Sequence, residues 1–262
     1  MKNTILITLA AIAPFGAFGG FINSGDNVDV NGALVLLNDE SGSIDAAEFD
    51  LLKQGYVDAF NSTAISSLFD QGGSIAVQYI AWSGAAQQNI VLDWFLIDSS
   101  ADSFNYATQL SGISRTFTSS QGLTAPGDAI QFAGNSVIGS TGDYFTADTQ
   151  IIDVFSDGER NDGLDDAATQ NTRDVLESFG VTINAIVIDE GNAVNYHTNN
   201  IITSDGFISV SPDFNTFGTV LEDKIEVEVQ TSTVPEPGTY LALASAAGIA
   251  LAIIRRNRKA KA

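Results

Sequence analysis

Residues 33–43 read ALVLLNDESGS, and the way this stretch is read decides the fold. The apolar run Ala33-Leu34-Val35-Leu36-Leu37 is too short for an ordinary helix and ends in polar, turn-forming residues, as a buried strand of a parallel sheet does. Asp39, Ser41 and Ser43 follow at once, spaced D-x-S-x-S, and an amphipathic helix comes after them. One carboxylate and two hydroxyls at a strand end put hard oxygen donors at the carboxyl edge of the sheet, where open α/β sheets bind ligands. Converging hard oxygens suit Mg²⁺, Mn²⁺ or Ca²⁺.

Outward from that strand, segments with strand and helix character alternate from Asp26 to Val229, which predicts a mostly parallel sheet covered on both faces. Asp45 and Glu48 are spaced as a capping box, and Phe49, Leu52, Tyr56 and Phe60 recur at helical intervals as a buried face. Ser74–Trp82 and Asn89–Phe95 read as strands joined through Ser83-Gly84, a hairpin that makes one of them antiparallel. A helix is expected over Ala101–Leu110, a polar loop over Ser114–Thr124 and a helix from about Gly127 to Val137. A strand over Gln150–Phe155 ends in Ser156-Asp157-Gly158. A helix over Asp165–Phe179 is stopped by Gly180, Val181–Ile188 is a buried strand, and Gly206–Val210 and Asp213 to about Lys224 close the domain as strand and helix. Gln230–Val234 is the candidate linker.

Composition narrows the chemistry. The 262 residues contain no cysteine, so disulfides, thiolate metal sites and cysteine nucleophiles are excluded, and one histidine, His197, argues against multi-histidine metal sites. The formal net charge is −21. Between residues 24 and 234 the basic residues are Lys53, Arg115, Arg160, Arg173 and Lys224, against 31 acidic ones, so that segment carries −26. Such a surface repels nucleic acid, accumulates cations and slows the approach of acidic partners.

The two ends read as addresses. Met1 to about Gly19 begins with Lys2, runs through apolar Ile5–Ala13 and ends in small residues around Gly16, Ala17 and Gly19, the pattern of a secretory signal peptide. Residues 230–262 comprise the linker, Val234-Pro235-Glu236-Pro237-Gly238, an apolar stretch from Tyr240 to Ile254 and a basic cluster from Arg255 to Lys261. Physically this is a stop-transfer anchor with the domain outside the inner membrane and the basic end in the cytoplasm. Its order of motif, helix and basic end closely resembles the PEP-CTERM sorting signal of Gram-negative bacteria that make exopolysaccharide. The resemblance implies recognition by an exosortase, removal of the tail and delivery to the envelope surface or extracellular matrix.

Three strand ends thus offer oxygens: Asp39, Ser41 and Ser43 after the first, Thr124 in the polar loop, and Asp157 after the fourth. This set resembles the metal-ion-dependent adhesion site (MIDAS) of von Willebrand factor A-like domains, and Trp82-Ser83-Gly84 is similar to a bacterial subfamily of unknown function. The resemblance implies a doubly wound α/β fold over residues 26–229. It also implies a divalent ion, Mg²⁺ with Mn²⁺ or Ca²⁺ as substitutes, held by Asp39, Ser41, Ser43, Thr124 and Asp157. Two carboxylates and three neutral hydroxyls leave such an ion short of ligands, so an acidic oxygen from a protein or matrix-polymer partner completes its shell. Glu40, between the ligands, is expected to be solvated or on the rim.

Other candidates weigh less. Asp153 lies four residues before Asp157, too far back to share an ion at about 3.3 Å per residue, and as an acid in a buried strand it needs a partner. Asp157–Asp166, DGERNDGLDD, looks like a calcium loop, but Asp162 and Ala168 stand where the EF-hand pattern needs glycine and glutamate. A helix start with solvated acids is preferred over a weak extra Ca²⁺ site. His197 has no acid–serine pair beside it, and Trp82 and Trp94 read as core or sheet-edge aromatics. A metal hydrolase is disfavoured because Ser41 stands where haloacid-dehalogenase-like phosphotransfer needs an aspartate, and no general base is evident. The expectation is therefore a binding protein rather than an enzyme, with a matrix component carrying a vestigial site as the alternative.

Overall fold

The computed structural model describes residues 19–117 and 123–233. The expected signal segment before Gly19, Gly122 of the second ligand loop, and the Pro-Glu-Pro tail from Val234 onward lie outside the described residues. Among those described, no helix is long and apolar enough to cross a membrane.

In chain order the elements are β1 (Val28–Asp39), α1 (Ala46–Asn61), α2 (Thr63–Asp70), β2 (Ile75–Trp82), β3 (Gln88–Ile97), α3 (Ser100–Ser111), α4 (Pro126–Ser140), β4 (Phe145–Ser156), α5 (Asp166–Ser178), β5 (Val181–Ile188), α6 (Ala193–Asn200), β6 (Ile208–Ser211) and α7 (Phe214–Thr233). The strands form one sheet in the order β3-β2-β1-β4-β5-β6. β3 pairs antiparallel with β2, as the hairpin reading required, and the remaining pairings are parallel. This is the doubly wound, mostly parallel von Willebrand factor A/Rossmann-like fold.

β1 shows why the apolar run had to be central. Its side chains alternate, Leu34 and Leu36 entering one core with Phe49, Leu52, Tyr56, Phe60, Phe217 and Leu221, while Ala33, Val35 and Leu37 enter the other with Ile130, Val137 and Val187. A strand buried on both faces cannot alternate apolar with polar, so it reads as a continuous run. Trp82 and Trp94 are buried, their indole N–H groups donating to the Leu37 carbonyl (3.4 Å) and to Ser140 Oγ (2.8 Å). The Asp45 capping box forms: Asp45 Oδ1 accepts from the Glu48 amide at 2.9 Å, and Glu48 Oε2 accepts from the Asp45 amide at 2.7 Å. Gly180, at φ +83°, closes α5 in the left-handed conformation that glycine adopts without strain.

Two features depart from the expected organisation, and a third answers it. α7 runs to Thr233, so Gln230–Thr233 are helical where a linker was expected; Val229, Ser232 and Thr233 are buried, and tertiary packing carries the helix past its polar end. α2 and α6 are eight-residue helices, too short for their periodicity to stand out from loop composition. Asp153 finds its partner in Lys224 of α7 at 2.5 Å, and the same ammonium bonds Glu228, whose Oε1 also accepts from Asn184 Nδ2 at 2.8 Å. All three charged groups are buried. Burial, and then the neighbouring Asp153, push the Glu228 carboxyl up to about 7. Lys224, one of five basic residues between residues 24 and 234, was thus the partner that the buried strand demanded.

Candidate metal centre

β1 is the strand at which the sheet reverses direction of growth, with β2 on one side and β4 on the other. The carboxyl edge of such a switch point is open because the helices leave to opposite faces. Asp39 ends β1 there, in register with Trp82, and Phe155 pairs with the preceding Asn38. One residue further along β4, Ser156 reaches across and donates its hydroxyl to Asp39 Oδ2 at 2.7 Å. Asp39 Oδ1 accepts from the Ser41 amide at 2.7 Å, a turn closed by the aspartate two residues back.

From this turn a side-chain chain crosses to the third loop. Ser41 Oγ lies 3.2 Å from Ser43 Oγ, and Ser43 Oγ donates to Asp157 Oδ1 at 2.8 Å. Asp39 and Ser41 are fully buried and Asp157 nearly so, whereas Ser43 is exposed at the mouth. Burial, and next the charge of Asp157, push the Asp39 carboxyl up to about 7; burial raises Asp157 too, reinforced by Glu190 and Glu48. Two raised carboxyls lined by hydroxyls, with Ser43 reaching solvent, match the donor set of a divalent cation in oxygen coordination. Groups of three or more His, Cys, Asp or Glu side chains able to hold a metal are absent among the described residues, so any ion here would draw on the hydroxyls as well as the two acids.

Thr124 joins this edge through its backbone. Its amide donates to Asn161 Oδ1 at 2.8 Å, and its carbonyl accepts from the amides of Asn161 (3.0 Å) and Asp162 (3.1 Å), on the loop that begins with Asp157. From the other side Ser83 donates its hydroxyl to the Leu123 carbonyl at 2.9 Å, and its own carbonyl accepts from the Ala125 amide at 2.9 Å. Asp162 Oδ2 accepts from the Ala85 amide at 2.9 Å, an N–H that, with that of Gly163, holds the Asp162 carboxyl below the usual range. The acidic run after Asp157 is therefore a clasp for the Thr124 loop, with Asp165 capping α5 through the Ala168 amide (2.9 Å) and Arg160 pairing with Asp166 (3.1 Å). Trp82-Ser83-Gly84 forms the opposite half of that clasp.

Glu40 corrects the expectation of a rim residue. It is fully buried, and its Oε2 accepts from the amides of Thr116 (2.6 Å) and Phe117 (2.8 Å). Arg115 Nη2 meanwhile donates to the carbonyls of Glu40 (3.2 Å) and Ser41 (2.9 Å). Successive side chains at a strand end point opposite ways, so a residue beside an outward ligand turns inward. Arg115, Ser156 and Asn161 escaped the sequence reading. Signals existed: Arg115 is one of five basic residues in an acidic domain, and Ser156 directly precedes a ligand candidate. His197 is buried, its Nδ1 2.9 Å from the Ala193 carbonyl, and burial lowers the imidazole to about 4.

The fold is that of von Willebrand factor A-like α/β domains. Residues 29–233 match the family described as "Protein of unknown function (DUF1194)", and the chain belongs to that family. No curated protein matches the chain. Among solved structures it is similar to proximal thread matrix protein 1 from the mussel byssus, at 19% identity and a TM-score of 0.56, over 78% of this chain and 49% of that one. The same mussel protein with a zinc-occupied MIDAS motif matches at 16% identity and TM-score 0.55, over 79% and 49%. The vWF domain of the type V pili tip protein Mfa5 from Porphyromonas gingivalis matches at 10% identity and TM-score 0.51, over 79% and 98%. The chain spans about half the length of the mussel protein, and at these identities the likeness shows the fold alone.

Proposed function

We propose that this protein is an exported adhesion module that holds a divalent cation through Asp39, Ser41, Ser43, Thr124 and Asp157 and engages its partner through that ion. The reading is carried by the bonded series Asp39–Ser41–Ser43–Asp157, which brings two distant carboxylates to one sheet edge. The ion is Mg²⁺, with Mn²⁺ or Ca²⁺ able to substitute, and it supplies an incompletely neutralised charge that an acidic oxygen of a protein or exopolysaccharide satisfies. Asp39 and Asp157 balance that charge, the hydroxyls fill positions without neutralising it, and the clasp around Thr124 keeps its loop in place.

The activity is binding, not catalysis. The zinc-occupied MIDAS of the mussel byssus protein supports a cation on this fold, and the mussel matrix protein and pilus tip protein support an adhesive or matrix role. The C-terminal tail serves as the exosortase-recognised sorting signal, anchoring the chain transiently in the inner membrane before delivery to the envelope surface or matrix. Matrix components should be captured by the purified protein in millimolar Mg²⁺ and released by chelator. Capture unchanged by chelator, or by Asp39→Ala, refutes a metal-bridged contact. Replacing Pro235-Glu236-Pro237 should leave the protein in the inner membrane; unchanged release refutes sorting by that motif.

A further inference from the structure

Residues just after the expected export signal are part of the folded sheet. Leu96 donates its amide to the Gly20 carbonyl at 2.9 Å, Ile22 donates to the Trp94 carbonyl at 2.8 Å, and Phe21 bridges antiparallel to Phe95 with the rings edge-on at 5.4 Å. Ile22 is buried. Gly20–Ile22 thus extend the sheet beyond β3, and the chain enters the domain at a fixed point.

That point faces an acid. A Cβ placed on Gly19 would lie 1.9 Å from Asp102 Cγ and 2.0 Å from Asp102 Oδ1, so the backbone here packs directly on the carboxyl. Asp102 is more than nine-tenths buried. Its Oδ2 accepts from the Ser99 hydroxyl, and Oδ1 is the oxygen turned toward Gly19. Asp98 is its neighbour; burial, then the bonded and charged Asp102, push Asp98 up to about 6. Among the described residues no lysine or arginine forms an ion pair with either acid. The Asp102 carboxyl, with Asp98 beside it, therefore lies against the backbone at Gly19, one residue from the Gly20 nitrogen.

The sequence offers a positive charge at that nitrogen by proteolysis. Signal peptidases cut after a small-x-small triplet, and Ala17-Phe18-Gly19 is such a triplet. Ala11-Ile12-Ala13 is another, but it lies within the apolar run and is followed by Pro14. We propose that the export signal is removed between Gly19 and Gly20 and that the new α-ammonium of Gly20 docks on the Asp98–Asp102 carboxyl pair, so that maturation completes the fold. Water adds across the Gly19–Gly20 amide under an envelope endopeptidase; Gly19 leaves as a carboxylate and Gly20 keeps the nitrogen as an ammonium. Cleavage precedes folding, because in the folded chain both glycines are half-buried and Gly20 is already bonded to β3.

The proposal rests on the export reading, and one experiment separates their failures. The full chain is expressed in a Gram-negative host, the exported protein is recovered, and its N-terminus is read by intact-mass and terminal sequencing. Its Tm is then measured before and after acetylation of that amine, in wild type and in Asp102→Asn. A start at Gly20, with acetylation lowering Tm by at least about 2 °C in wild type but not in Asp102→Asn, is the expected result. A retained Met1 overturns the export reading and the proposal with it. A start at Pro14, or beyond Ile22, overturns the cleavage assignment while leaving export intact. A start at Gly20 with an acetylation-insensitive Tm overturns the docking alone, and this arm needs no variant to fold.

Discussion

Replacing Asp39 with asparagine should stabilise the metal-free domain while abolishing its response to metal. In the wild type the buried Asp39 carboxyl is raised from 3.8 to about 7, chiefly by burial and next by Asp157. A folded-state value above the unfolded one means stability present at pH below 3.8 and lost as pH rises through about 7. Those limits are worth about 4 kcal/mol at pH 8, at about 1.36 kcal/mol per unit. The asparagine side chain escapes that cost but weakens two bonds to a charged acceptor, from the Ser41 amide and the Ser156 hydroxyl, by about 1 kcal/mol each. The net gain is about 2 kcal/mol, or about 4–8 °C in Tm for a domain of this size. Scanning calorimetry in chelator at pH 8 should show it, and the advantage should vanish by pH 5, where the wild-type carboxyl is protonated. Saturating Mg²⁺ at about 100 times Kd should raise wild type by about 2.7 kcal/mol and leave Asp39→Asn unmoved. A variant less stable than wild type at pH 8 in chelator, or one that still responds to Mg²⁺, would refute the reasoning.

Three other perturbations probe separate parts of the fold. The His197 imidazole is lowered from 6.5 to about 4 by burial, so its contribution is intact above pH 6.5 and fades as pH falls toward 4, by roughly 3 kcal/mol; urea titrations of wild type and His197→Gln across that window should converge at low pH. Lys224→Met strands Asp153 and Glu228 as buried acids and should cost about 3–5 kcal/mol by denaturant unfolding, most of it recovered when Asp153→Asn and Glu228→Gln are added. Ser83→Ala removes the hydroxyl that holds the Leu123 carbonyl, and calorimetric titration should find Mg²⁺ affinity about tenfold weaker with stability lowered by only about 1 kcal/mol.

How much of this was legible in the sequence depended on whether the cause was local. β1 and β5 were readable because strands buried on both faces must be continuously apolar, and the α1 cap because Asp45 and Glu48 meet within one turn. That Asp39, Ser41 and Ser43 gather at one strand end was readable for the same reason, since a short motif carries its own geometry. The Asp153–Lys224 pair spans 71 residues, and the Glu40 carboxylate is held by amides 76 and 77 residues away. No local pattern reports such partners. Glu40 was misjudged because polarity stood in for exposure; two backbone N–H donors and a neighbouring guanidinium make its burial possible. Of the acids after Asp157, Asp165 and Asp166 do start a helix as expected, but Asp162 is tied to the Ala85 amide rather than solvated. The loop's grip on Thr124 came from folding two loops together.

The most direct measurement is anomalous diffraction from crystals grown with Mn²⁺. A single strong peak should lie between the Asp39 and Asp157 carboxylates, within about 2.5 Å of the Ser41 and Ser43 hydroxyls and on the side facing Thr124. A domain that crystallises intact in millimolar Mn²⁺ with no peak there, or with its peak on the Asp162–Asp165 loop instead, would contradict a cation held by five oxygens of three loops.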